Sequence, residues 1–309
     1  MKALVIGGNG FIGSHLVEDL VARNWQVTVL DLYERRYGEI PPSVKFLRGD
    51  VSHAFLLREA LLQVDVVYHL AWSTIHEIAN QEPAADVKAN LIPTIHLLEA
   101  CQRAAVSRVI FTSSGGTVYG PAQRLPIPET HQKRPITGYG ITKLAVEKYL
   151  HMFRHLYGLE YAVLRPSVPY GPRQNPLAKQ GAVGVFLYRV SRGLPVTLWG
   201  DGSTNRDYFY ISDLVQALVA AAERDVGEDP VFNIGGAEKI TLSYLLQRVE
   251  ETVGSKAIVE YLPARDFDAP SILLDTSRAA EVLDWRSSIP LSQGLACTWD
   301  WMKEAFKDE

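Results

Sequence analysis

Glycines at positions 7, 10 and 13 of a chain that opens MKALVIGGNGFIGSHLVEDL leave few architectures open. Ala3–Ile6 is an apolar, β-rich run, and Phe11–Arg23 repeats its apolar residues at helical spacing. A strand that turns through glycines into a helix gathers free backbone amides and the positive helix end at one point, where a pyrophosphate fits. Glycine there meets three needs: a tight turn, close approach of backbone to ligand, and helix–strand packing. The next β-rich run, VTVL, closes on Asp31, 18 residues past Gly13. A carboxylate at that place accepts hydrogen bonds from an adenosine ribose and repels a 2′-phosphate, which favours NAD over NADP. Arg35 and Arg36 lie further out and read as solvated loop charges. Asp50, after a third run, either binds the adenine amino group or caps a helix starting near Ser52.

The rest of the first half keeps this rhythm. Strands are predicted at Gln26–Leu30, Val44–Leu47, Val66–Leu70, Arg108–Thr112 and Tyr161–Leu164, and helices near Ala54–Leu62, Ala85–Ala104 and Gly138–Leu156. Such alternation implies an α/β fold, a doubly wound parallel sheet of the Rossmann kind, over residues 1–165. After Arg165, Pro and Gly cluster in RPSVPYGPRQNP and the elements become shorter: a helix at Val183–Arg192, a strand at Val196–Trp199, a helix at Ser212–Glu223. Residues 166–309 are therefore expected to form a smaller, mixed α/β substrate domain. The boundary is soft, because Val231–Ile234 could return a strand to the first sheet.

Composition removes other classes. With 31 basic and 35 acidic residues, a net charge of −4 and no basic block, the chain is not built for nucleic acid. No apolar stretch approaches the ~20 residues of a membrane helix. The apolar run before Gly7 is too short for the core of a signal peptide, so cytoplasm is the expected location. Cys101 and Cys297 offer neither a disulfide framework nor a metal-site spacing.

The chemistry is suggested by Tyr139-Gly-Ile-Thr-Lys143, on a helical stretch. Residues four apart share a helix face, so the Lys143 ammonium can sit beside the Tyr139 phenol. A free phenol titrates near 10, and a neighbouring cation lowers it toward a useful range for proton transfer.

Taken in order, the glycine loop, Asp31, Asp50, His69-Leu70-Ala71, Asn90 and the Tyr139/Lys143 pair resemble the extended short-chain dehydrogenase/reductase family. Within it, Ser113–Gly120 (SSGGTVYG), Tyr170–Gln174 (YGPRQ), Trp199–Leu214 (WGDGSTNRDYFYISDL), Arg265 and Asp268 are most similar to nucleotide-sugar epimerases of the UDP-galactose 4-epimerase type. The resemblance implies that Gly7, Gly10, Phe11, Ile12, Gly13, Asp31, Asp50, Val51, Leu70, Ala71, Asn90, Ser113, Tyr139 and Lys143 contact NAD. It implies that Arg206 and Arg265 flank a sugar nucleotide's pyrophosphate, as bidentate guanidiniums can, with Tyr208 and Asp268 nearby. It also implies a homodimer through helices near Asn90–Ala104 and Thr142–Leu156.

Two positions depart from that pattern. Relatives usually carry a Ser or Thr hydroxyl where this chain has Gly115, and Ser114 or Thr117 is expected to replace it, Ser114 first. Val168 stands where many relatives place an Asn that touches substrate, and a valine cannot make that hydrogen bond. The expected activity is epimerisation at carbon 4 of a nucleotide sugar, UDP-linked by resemblance, through a transient 4-keto sugar with Tyr139 as acid/base. The alternatives are a 4,6-dehydratase, a decarboxylase or a 4-keto reductase on the same scaffold, and a non-catalytic NAD-binding protein. The first two want an acid where this chain has Gly116 and Thr117.

Overall fold

In the computed structural model of the chain, the described residues are 1–74, 76–178, 181–236, 238–264 and 271–307, leaving aside the side chains of 76 and 77. Six strands of the central sheet lie in the first half: β1 (Lys2–Ile6), β2 (Gln26–Asp31), β3 (Lys45–Arg48), β4 (Val66–His69), β5 (Arg108–Thr112) and β6 (Glu160–Pro166). Four short strands follow outside it: β7 (Val168–Tyr170), β8 (Pro195–Trp199), β9 (Asn205–Arg206) and β10 (Tyr208–Tyr210). Then β11 (Val231–Ile234) pairs in parallel with β6, so the late strand does join the first sheet. The seven-stranded order is β11-β6-β5-β4-β1-β2-β3, and every pairing is parallel. The winding reverses between β1 and β4, which is where such sheets leave a crevice for a ligand.

The helices of the first half are α1 (Phe11–Ala22), α2 (Ala54–Ala60), α3 (His76–Gln81), α4 (Pro83–Asp86), α5 (Ile92–Arg103) and α6 (Gly138–Tyr157). Later come α7 (Ala182–Ser191) and α8 (Ile211–Glu223). Side chains alternate along a strand, so β1 feeds both faces. Ala3 and Val5 pack with Leu16, Val17 and Leu20 of α1 and with Leu214 and Leu218 of α8. Leu4 and Ile6 pack with Leu57 of α2, Leu97, Leu98 and Cys101 of α5, and Val146, Leu150 and Phe153 of α6. Both faces are covered, which explains the near-continuous apolar reading of the strands.

One helix differs from its sequence reading. Instead of a continuous Ala85–Ala104 helix, α4 ends at Asp86, a π-turn spans Val87–Leu91, and α5 begins at Ile92. Pro93 is the cause: it lacks an amide hydrogen, and its ring crowds the preceding turn. The widened turn carries Asn90 and sits beside the site, as π-turns often do.

The remaining elements are β12 (Ile240–Thr241), β13 (Ile258–Leu262), α9 (Leu242–Val253), α10 (Ser277–Val282) and α11 (Leu291–Ala305). Most of their apolar residues join α7 in a separate cluster that includes Val183, Leu187, Val196, Leu245, Val249 and Leu295. Among the described residues no helix is long and apolar enough to cross a membrane.

Candidate active site

The glycine loop leads from β1 into α1 at the crevice. A Cβ on Gly13 would run into Gly7 O and come within 2.6 Å of Gly8 Cα, so this glycine is fixed by helix–strand packing. Gly10 is different: a Cβ there meets only Gly7 O at 3.4 Å. The protein itself leaves that side open, and Gly10 precedes α1 as an N-cap with no side chain to satisfy the first amides. Open space before uncapped amides suits an anionic pyrophosphate. Leu70 and Ala71 close the other wall, both donating their amides to Ile6 O at 3.0 Å. The residues present fit a dinucleotide.

At the end of β2, Asp31 accepts hydrogen bonds from Asn9 N at 3.0 Å and Tyr33 N at 3.1 Å. Its carboxylate is thereby aimed, with lone pairs left over for ribose hydroxyls. Asp50 is exposed, and one of its oxygens accepts from Ser52 N at 2.7 Å. The helix cap is His53, whose Nδ1 accepts from Leu56 N, not the Ser52 start expected from the sequence. Val51 packs against the core beside it. Arg35 is not a solvated charge: its side chain is 2% exposed and pairs with Glu18 at 2.7 Å. Helix α1 carries that partner within reach, 17 residues away in sequence. Arg36 is exposed, as read.

Thr137 caps α6, accepting from Gly140 N at 3.2 Å, so Tyr139 falls in the first turn and Lys143 one turn later. Lys143 is 3% exposed and donates to Thr112 O at 2.7 Å. Burial lowers its ammonium to about 7, against the attraction of Glu147 and Asp86. Its nitrogen lies 5.7 Å from the Tyr139 ring centroid. The expected lowering of the phenol is absent in the protein alone. Burial of the hydroxyl, then the nearby Asp86 carboxylate, push Tyr139 above its ordinary value. Desolvation is the larger cause.

Several site residues turn out to be committed elsewhere. Asn90 donates to Thr74 Oγ1 and Asp86 Oδ1 while its Oδ1 accepts from Ser73 N and Oγ, so its amide is spent fixing the loop after β4. Ser113 donates its hydroxyl to Glu147 Oε1 at 2.6 Å and its amide to Leu164 O at 2.7 Å, so both of its donors are used within the protein. Tyr208 is buried in the cluster around α7, with its phenol pushed up to about 12 by burial, and is a core residue. Arg206, on β9, donates to Asn205 O. Arg265 and Asp268 lie outside the described residues.

The loop after β5 explains its own oddity. Gly115 N donates to Pro166 O at 2.8 Å, and a Cβ on Gly115 would sit 2.8 Å from Arg165 O and collide with Leu274. A hydroxyl at 115 has no room. Thr117 packs on the first turn of α6, its Cβ 3.1 Å from where a Cβ on Gly140 would lie. Its Oγ1 is buried and finds no hydrogen-bond partner among the described residues. Ser114 is partly exposed.

Sequence reading missed three residues. Asp86 accepts from Thr142 Oγ1 at 2.5 Å and Asn90 at 2.9 Å, and also from Thr74. Glu147 forms a buried pair with Arg165 at 2.5 Å. Trp72 places its ring over Lys143. The spacings Asp86–Asn90 and Lys143–Glu147, each one helical turn, were the available signals.

A profile of the NAD dependent epimerase/dehydratase family matches residues 3–235. The chain belongs to that family. It is 34% identical to the UDP-glucose 4-epimerase of Mycolicibacterium smegmatis over 98% of this chain and 99% of that one. A Thermotoga maritima UDP-glucose 4-epimerase, solved with UDP-glucose, superposes with a TM-score of 0.93 at 36% identity, over 98% of this chain and 99% of its own. A Thermus thermophilus UDP-glucose 4-epimerase in complex with NAD gives 0.92 at 34% identity, over 99% and 100%. NAD is the cofactor of this family member, in keeping with the crevice.

NAD is expected to bind about 10²-fold more tightly than NADP, because a 2′-phosphate would face the Asp31 carboxylate. Arg35 cannot rescue it, being held by Glu18. Fluorescence titration of the stripped protein checks this; equal affinities would remove Asp31 from the ribose.

Proposed function

We propose that this protein interconverts the C4 epimers of a UDP-linked hexose, N-acetylhexosamine or uronic acid, with NAD retained through the cycle. The observation that carries the reading is the placement of Lys143 beside Tyr139 at the end of β5, with Thr117 against the same turn of α6 and, among the described residues, Asp86 as the one carboxylate acting on the phenol. Asp86 acts on Tyr139 but is 1% exposed and held by three donors, so it cannot protonate a leaving group. A dehydratase needs such an acid, and among the described residues Asp86 is the one carboxylate acting on the phenol. The named activities of the relatives support the same reaction class.

Bound NAD would be held by the glycine loop, Asp31, Ala71 and Lys143, and supplies hydride acceptance and donation at an unactivated carbon. Tyr139 takes the C4 hydroxyl proton and gives it back once the sugar has presented its other face. Lys143 keeps a positive charge beside the phenol and a donor for a ribose hydroxyl. Thr117, whose hydroxyl is buried and lies beside the helix turn of Tyr139, polarises the substrate oxygen in place of the residue that Gly115 cannot supply. The smaller unit packed around α7 brings the sugar nucleotide, with Arg206 and Arg265 on its pyrophosphate. A cytoplasmic homodimer is the proposed assembly, supported by the exposed apolar side chains Ile92, Ile141, Met152, Leu156 and Tyr157 on α5 and α6.

Incubation with a panel of UDP-sugars and separation of the products tests the function. The expected result is reversible conversion of one sugar to its C4 epimer without net NAD consumption. A stable 4-keto-6-deoxy product, or stoichiometric NADH, would overturn it. Replacing the hydroxyl should be just as informative: Thr117→Ala is expected to lose about 10²-fold in turnover, and Ser114→Ala much less. Near-native rates for Thr117→Ala would clear Thr117 of the role.

A further inference from the structure

Lys143 has an unusual enclosure for a cation removed from water. Its Nζ stands 3.8 Å from the ring centroid of Trp72, 4.7 Å from Phe111 and 5.7 Å from Tyr139. We propose that Trp72 is a positioning residue for Lys143, forming with Phe111 and Tyr139 an aromatic cage that holds the ammonium at the site of proton transfer.

An ammonium carries three donors, and one of these goes to Thr112 O. A buried charge with so little hydrogen bonding needs other support. Aromatic faces supply it through the ring quadrupole, tryptophan most strongly, and more so where water is excluded. The charged groups facing the nitrogen are few among the described residues. Asp86 from α4 and Glu147 from α6 attract it. His69 on β4 is held neutral by burial and by Lys143 itself, its imidazole lowered to about 3. Arg165 on β6 is occupied by Glu147.

Trp72 earns its place by its face. Its Nε1 is buried and has no hydrogen-bond partner among the described residues, a cost that a phenylalanine would avoid. The same ring meets Tyr139 edge-on, at 5.8 Å and 71°, so one side chain fixes both members of the pair. Phe111 lies against it at 6.2 Å and completes the wall.

The role rests on Lys143 being the working cation of the proposed reaction, but the test reads the ammonium directly and needs no substrate. Lysine labelled with ¹³C at Cε gives each ammonium its own NMR titration, and Lys143→Arg assigns the signal. The native midpoint should lie near 7. Trp72→Phe and Trp72→Leu leave similar voids, but only phenylalanine keeps an aromatic face. Trp72→Phe should therefore titrate close to the native protein, while Trp72→Leu should fall by about one pH unit. Lysine acts as a cation, so activity lost as pH rises through its midpoint should be lost correspondingly earlier in the leucine variant. Phe111→Leu, with a smaller downward shift expected, decides the matter if Trp72→Leu does not fold. Equal shifts in the Trp72→Phe and Trp72→Leu proteins, or no shift in the ring-free variants, would reduce Trp72 to a filler of volume.

Discussion

Tyr139→Phe should lower turnover by about 10²–10⁴-fold while the purified protein keeps its bound NAD. The phenyl ring preserves the edge-on contact with Trp72 and the packing of the first turn of α6, so the change removes little beyond one oxygen. In the proposed reaction that oxygen exchanges a proton with the sugar, and burial and Asp86 keep it protonated in the free protein. Near neutral pH an acid/base phenol needs added positive charge, which an oxidised nicotinamide would supply when bound. Single-turnover and steady-state rates on the substrate found in the UDP-sugar panel, with NAD content read by absorbance after denaturation, check both halves. Wild-type turnover in Tyr139→Phe would refute the proton-transfer role; loss of NAD as well would mean that the ring or its partners build the cofactor site.

Glu147→Ala is expected to cost about 3–5 kcal/mol of folding stability. The side chains of Arg165 and Glu147 are 2% and 5% exposed, so neither charge is screened by solvent. Arg165 grips the carboxylate with Nε at 2.9 Å and a second nitrogen at 2.5 Å, and its remaining nitrogen donates to Tyr119 at 2.8 Å. Tyr119 in turn donates to Asn233 at 2.6 Å, while Ser113 donates to Glu147. Removing the carboxylate leaves a buried guanidinium without its counter-charge and frees Ser113 at the head of the loop that carries Thr117. Urea unfolding of the variant beside the wild type measures the loss. A change below about 1 kcal/mol would mean that water reaches Arg165 once the pair is broken.

The sheet, the place of the cofactor and the Tyr139/Lys143 face were all legible in the sequence, since each follows from short-range constraints. Gly13 is required by contact with the loop it closes, six residues earlier, and Asp31 ends the strand beside it. The helix that puts Tyr139 and Lys143 on one face announces itself by its own periodicity and by the Thr137 cap. Even the return of Val231–Ile234 to the sheet was visible as an apolar β-run, though not as a certainty. The helical run near Ala85–Ala104 was equally legible, and only the π-turn at Val87–Leu91 ahead of Pro93 departs from it.

Roles that depend on distant partners were not legible. Nothing nearby in sequence reveals that Glu18 of α1 meets Arg35, or that Glu147, Thr74 and Asp86 hydrogen-bond Ser113 and Asn90. That the Thr117 hydroxyl is buried without a partner among the described residues, and that two backbone carbonyls at the end of the neighbouring strand exclude a side chain at Gly115, could be seen only in the packed chain. By itself, then, the sequence determined the fold, the cofactor class and the shared helix face of Tyr139 and Lys143, because backbone sterics and periodicity act between neighbours. Tertiary structure alone decided which polar atoms remain available and how Lys143 is enclosed. Hydrogen bonding and desolvation depend on whichever side chains the packed chain brings together, whatever their distance along it.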